Sequence, residues 1–84
     1  MKNADTLKRA IIDDFKKEFD IELIDDDFEE TEDGFDVSYY DYDLNKYEKY
    51  RHNPLVENYN FESDGRSEYL NIYAHLTPED YGID

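Results

Sequence analysis

Cysteine is absent from this 84-residue chain, so neither a disulfide nor a thiolate zinc site can add to its stability, and cysteine usage assigns no redox compartment. Long apolar runs are absent as well. No stretch approaches the roughly 20 residues that span a bilayer, and Met1 to Ala10 lacks the apolar centre of a secretory signal, so the expected location is cytoplasmic. Three glycines and two prolines form no Gly/Ser-rich or Pro-rich linker, and no internal repeat occurs. The chain therefore reads as a single domain over residues 1–84, near the size where one core is just sufficient. Packing has to hold it together.

Basic residues are the next scarcity: nine Lys and Arg stand against 24 Asp and Glu, a net charge of −15. Such a balance repels phosphates, which excludes direct nucleic-acid binding and docking on an anionic membrane. It also opposes compaction and would suggest disorder, were it not for nine Tyr and five Phe. Large rings bury much area per residue, and tyrosine keeps a polar tip. A folded domain with a basic partner is the expectation.

Catalytic chemistry has few candidates. The three serines, Ser38, Ser63 and Ser67, lack the glycines of a nucleophile elbow, and His52 and His75 have neither metal-pair spacing nor an orienting partner nearby in sequence. Carboxylates suit glycoside hydrolysis, but a domain this small rarely forms the cleft. An EF-hand register on Gly65 puts Asn60, Glu62 and Asp64 at the first ligand positions, yet Asn71 falls where a bidentate Glu belongs. On Gly34 the last position is Tyr40. Both glycines read better as turns, so no enzyme, cofactor or dedicated metal site is expected, with weak divalent binding at Asp25, Asp26 and Asp27 left open.

What is present is sharply patterned. Residues 1–17 are net positive, whereas residues 18–45 hold 13 carboxylates and no Lys or Arg. In the first zone Leu7, Ile11, Phe15 and Phe19 recur at i, i+4, with Ala10 and Ile12 widening the stripe, which predicts an amphipathic helix ending near Phe19 or Asp20. Asn3, Asp5 or Thr6 can cap it. Asp20 to Leu23 alternates briefly, as a strand would. Asp33-Gly34 signals a hairpin turn, after which Phe35, Val37 and Tyr39 alternate with Asp36, Ser38 and Tyr40. Beyond Tyr39 the inward face would receive Asp41 and Asp43, implying that the strand outruns the core or is reset by a bulge. Leu44 to His52 is ambiguous between helical turn and loop, and Pro54 bars a helix from continuing. Leu55 to Glu62 and Ser67 to Leu76 flank Ser63-Asp64-Gly65-Arg66 as a second hairpin, with Leu70, Ile72, Ala74 and Leu76 on one face. Thr77-Pro78 opens one helical turn, followed by a loose tail within 78–84.

The fold class predicted is α+β: the N-terminal helix packed on an antiparallel sheet of three or four strands formed by two hairpins. The expected core is Leu7, Ile11, Phe15, Phe19, Leu23, Phe35, Val37, Leu70, Ile72, Ala74 and Leu76.

The acidic zone supplies the candidate partner-binding residues: Asp25, Asp26, Asp27, Glu29, Glu30, Glu32, Asp33, Asp36, Asp41 and Asp43, with Tyr40 and Tyr42 as aromatic anchors. Along an extended strand, residues i and i+2 share a face about 6.6–6.8 Å apart, a spacing comparable to that of successive phosphates. Asp25, Asp27 and Glu29, or Glu30 and Glu32, or Asp41 and Asp43, would present carboxylates at that interval if extended. Like charges on neighbouring strands repel, so an acidic run of this density works against folding and suggests a role in binding. Tyrosine supplies rigid interface area with a hydroxyl.

In size, lack of cysteine, the unbalanced run Asp20 to Asp43 and the interleaved tyrosines, the chain resembles the bacteriophage DNA-mimic inhibitors: anti-CRISPR proteins, anti-restriction proteins and uracil-DNA glycosylase inhibitors. The resemblance is one of composition and carries over no residue. It implies an inhibitor, most specifically an anti-CRISPR protein, that occupies the basic nucleic-acid-binding surface of a CRISPR effector, restriction enzyme or other nuclease in the host cytoplasm. Two other classes remain: an immunity-type protein neutralising a toxin nuclease, and a carboxylate-rich calcium-binding module. Exposed strand edges leave a homodimer open.

Overall fold

The structure, a computed structural model, is described for residues 1–83. Helix α1 runs Ala4–Phe19 and buries Leu7, Ile11, Phe15 and Phe19, the predicted stripe. It begins at Asn3, whose backbone is left-handed at φ 66° and whose carbonyl accepts the Leu7 amide at 2.9 Å. Asp20 ends it, also left-handed at φ 54°, a conformation that Asp and Asn tolerate better than most residues. The Asp20 amide donates to the Lys16 carbonyl at 3.0 Å, and its carboxylate takes Lys16 Nζ at 2.9 Å.

Four strands follow: β1 Phe28–Glu30, β2 Phe35–Asp41, β3 Asn58–Ser63 and β4 Glu68–Leu76. They form one antiparallel sheet in the order β1-β2-β4-β3. Each hairpin supplies one central and one edge strand, and the hairpins join through β2 and β4, in register from Phe35 opposite Leu76 to Asp41 opposite Leu70. One helix on a sheet of two hairpins is the α+β architecture expected from the hydrophobic pattern.

All eleven expected core residues are buried, joined by Ile21, Tyr50 and Val56. Tyr50 comes from the segment whose conformation the sequence leaves ambiguous. A 3₁₀ turn at Leu44–Lys46 leads into the short helix α2, Tyr47–Arg51, which delivers Tyr50 onto the Phe19 ring at a centroid distance of 4.3 Å.

Two local expectations, at residues 20–24 and in the C-terminal tail, are corrected, and the hairpin turn expected at Asp33-Gly34 is present. Residues 20–24 make no strand. Ile21 and Leu23 do point inward while Glu22 and Ile24 stay exposed, but the chain turns into a 3₁₀ turn at Asp25–Asp27 before pairing begins at Phe28. Gly34 does close the first hairpin, although its φ is not positive. Its smallness is needed because a Cβ there would overlap the Leu76 carbonyl oxygen across the β2–β4 pair. The C-terminal tail is tied down as far as Ile83: Pro78–Tyr81 forms a 3₁₀ turn, the Tyr81 hydroxyl donates to Asp14 at 2.8 Å, and Tyr81 and Ile83 pack against the core. Asp84 lies outside the described residues.

β3 starts at Asn58, three residues later than its pattern suggested, because Asn53 to Val56 form a turn in which the Val56 amide bonds the Asn53 carbonyl at 3.1 Å, and only from Glu57, whose amide bonds the Tyr73 carbonyl at 2.9 Å, does the chain run beside β4. No helix among the described residues is long and apolar enough to cross a membrane.

Candidate functional site

Because side chains alternate across a strand, the residues between the core positions form the second face of the sheet. β2 contributes Asp36, Ser38 and Tyr40. β4 sets His75, Tyr73 and Asn71 opposite them and continues to Tyr69, while β3 adds Asn58, Asn60 and Glu62. The buried side of α1 lies in one cluster with the opposite set, Val37, Leu70, Ile72 and Ala74, so this polar, tyrosine-bearing face is left to solvent.

Tyr40 and Tyr42 are more than half exposed, at 57% and 56%. Both rest on Tyr69, with ring centroids 4.9 and 5.3 Å away. The Tyr69 hydroxyl reaches Glu62 at 3.5 Å, and the Asn71 amide donates to the other oxygen of Glu62 at 2.8 Å. Asp64 accepts the Arg66 and Ser67 amides at 2.9 Å, which hold its carboxyl below the usual carboxylate range, with a smaller contribution from the Tyr42 hydroxyl. A three-tyrosine cluster with two carboxylates on one side thus stands on a rigid sheet.

The acidic segment is dispersed by folding. The Asp26 carboxylate is exposed and takes part in none of the described hydrogen bonds or ion pairs, and the same holds for the carboxylates of Glu29 and Glu32. Glu29 pairs across from Asp36 on the open face. Asp25 is exposed but bound to Lys8 at 2.9 Å, Asp27 caps the Ile24 amide at 2.9 Å, and Glu30 takes the Met1 ammonium at 2.9 Å. Asp43 caps the Asn45 amide at 3.1 Å. The bases that the segment lacks in sequence are thus supplied in space, two of them from α1: Lys8 to Asp25, and Lys16 to Asp20 and Glu22.

Two expectations about these residues do not hold. Asp41 is no surface carboxylate: it is 5% exposed, accepts the Tyr50 hydroxyl at 2.6 Å and the Asp43 amide at 3.0 Å, and pairs with Lys46 at 3.3 Å. β2 reaches it without a bulge. The phosphate-like ladders also fail, since Asp25 and Asp27 sit in a 3₁₀ turn, Asp41 is buried, and Glu32 lies beyond the end of β1. Sequence reasoning in turn missed Tyr69, Asn71, Glu62 and Asp64. The alternation of β4 placed Tyr69 and Asn71 on the outer face, but only register shows that they adjoin Tyr40.

At the other end of the face His75 bridges two carboxylates, with Nδ1 2.7 Å from Asp36 and Nε2 3.0 Å from Asp33. Both ring nitrogens need a proton to satisfy these acceptors, so the site favours imidazolium. The Asp36 hydrogen bond raises the His75 pKa against a smaller opposing effect of burial, and Asp33 adds to the rise. Asp36 is lowered in return, by His75 first and then by the Tyr73 hydroxyl, which donates to it at 2.8 Å. Glu57 adds a third carboxylate, accepting the His75 backbone amide at 2.7 Å.

The pH dependence follows. A raised histidine pKa contributes stability that is whole below about 6.5 and is lost as pH rises through the folded value. The lowered Asp36 contributes above about 4 and is lost as pH falls through its own folded value. Thermal midpoints should therefore decline from near-neutral into alkaline pH in the wild type, and this decline should flatten in His75→Gln. Parallel pH profiles for the two proteins would refute the clamp.

Among the described residues no three His, Asp or Glu side chains are grouped to hold a metal ion. Compared with protein-family models, with curated proteins and with solved structures, the chain matches none.

Proposed function

We propose that this protein is an inhibitor that covers the basic nucleic-acid-binding surface of a host defence protein, most specifically a CRISPR effector, using the open face of its sheet. The observation that carries this reading is the face itself: exposed Tyr40 and Tyr42 on a rigid sheet, with Asp26 beside Tyr40, Glu29 on the same face opposite Asp36 and Glu32 exposed in the turn that follows β1, carboxylates that no described hydrogen bond or ion pair uses. Exposed aromatic side chains provide contact area and hydroxyls, and a net charge of −15 steers the protein toward a cationic surface. The mimicry is one of potential and shape. It needs no evenly spaced carboxylates, and the host cytoplasm is where the target would be met.

The test is capture of a purified CRISPR effector by the immobilised protein, followed by challenge with guide RNA or target DNA. Displacement by nucleic acid is the expected result. Capture that nucleic acid leaves undisturbed would move the contact beside the substrate channel, as in an immunity-type protein. Failure to capture any effector or other nuclease would sink the inhibitor reading.

A further inference from the structure

The binding face is not uniform. Beside Tyr40 lies a shallow groove of about 240 Å³ walled by Asp26, Asp27, Ser38, Tyr39 and Tyr40. We infer that this groove receives an arginine side chain of the partner in preference to a lysine, a step that rests on the inhibitor reading above and names what the face selects.

Three features lead there. Tyr40 offers an aromatic surface that is 57% exposed, and its contact with Tyr69 at 4.9 Å limits its freedom to swing away. Asp26 is exposed and uncommitted. Asp27 spends its Oδ2 on the Ile24 amide, which fixes the carboxylate in place and leaves the other oxygen to accept. An aromatic ring and two carboxylates within one hollow match a guanidinium, which is planar, stacks on rings and donates two parallel hydrogen bonds to a carboxylate. An ammonium is a compact and strongly hydrated point charge, so it gains less from a ring that stays half in water. Charge complementarity alone would attract either cation. The ring beside the carboxylates is what distinguishes them.

The experiment compares two peptides of equal length and charge, one of arginine and one of lysine, titrated calorimetrically into the intact protein. The arginine peptide should bind roughly two- to fivefold more tightly, the effect of one cation–ring contact at an exposed site. Tyr40→Leu keeps an apolar side chain at this exposed position and should remove that preference, costing the arginine peptide more affinity than the lysine peptide; Asp26→Asn should weaken the arginine peptide's binding. Equal binding of both peptides by the wild type, or a preference that survives Tyr40→Leu, overturns the inference and leaves the acidic binding face standing. If neither peptide binds, the inference and the inhibitor reading fall together.

Discussion

Replacing Tyr50 with Ala is expected to leave most of the protein unfolded at room temperature. The side chain is completely buried and stacks on Phe19, itself in edge contact with Phe15 at 5.2 Å. Truncating a large core aromatic costs about 3–5 kcal/mol. The hydroxyl adds a second loss, since it donates to Asp41 at 2.6 Å, and stripping a donor from a buried carboxylate costs about 1–3 kcal/mol. A domain of this length has stability on the order of 0.05–0.15 kcal/mol per residue, so the two losses together approach the whole. Burial, with the neighbouring Asp41 carboxylate, raises the Tyr50 pKa, so the hydroxyl remains a donor throughout the range in which the protein is folded. Tyr50→Phe separates the two effects. It keeps the ring and leaves Asp41 with Lys46 and the Asp43 amide, so its urea midpoint should fall by the hydrogen-bond share alone. A Tyr50→Phe protein as stable as the wild type would mean that the bond merely offsets its own desolvation.

That same pair shows where sequence reading stops. Alternation along β2 put Asp41 on the inward face, and a charge there suggested either a strand that had outrun its core or a bulge that reset the alternation. Folding takes a third course and buries the carboxylate against a tyrosine hydroxyl and a lysine. Neither partner was visible beforehand, because Lys46 and Tyr50 lie in a polar segment whose apolar spacing is too short to declare a helix. Leu44, Tyr47 and Tyr50 do recur every third residue, a weak helical signal. The long regular elements, α1 and β4, were legible because burial on one side repeats over many residues. The short ones were decided by partners distant in sequence.

Charge illustrates the same limit. Thirteen carboxylates without a base look like one continuous acidic surface when counted along the chain, yet Lys8 and Lys16 of α1 fold back onto Asp25, Asp20 and Glu22. The sequence indicated an acidic protein with exposed tyrosines near Asp36 and Asp43. It did not indicate which acids are spent on caps and ion pairs, or that Tyr69 of β4 completes the cluster begun by Tyr40 and Tyr42. Those assignments depend on register and on the course of the chain between strands.

Sorting the carboxylates in this way selects the second variant. Changing Asp26, Glu29 and Glu32 together to Lys should weaken binding to a basic partner by about a hundredfold or more, as expected when several interface charges of about 1 kcal/mol each are reversed. Stability should hold or rise, because none of the three carboxylates takes part in a described hydrogen bond or ion pair and their repulsion with the remaining carboxylates turns into attraction. Asp25 and Asp27 are unsuitable for this purpose, since reversing them breaks the Lys8 pair and the Ile24 cap and confounds binding with folding. The wild-type affinity should fall with added salt, and the variant's should fall less steeply, because fewer charges remain to be screened. A control of equal charge, Glu18, Glu68 and Glu79 to Lys, alters exposed carboxylates off the open face. Net charge acts at long range, so the control should slow association modestly; the open face acts by contact, so only the first variant should also speed dissociation. Equal losses from both triple variants would mean that the partner senses the protein's overall charge and that the tyrosine-bearing face has no special part in binding.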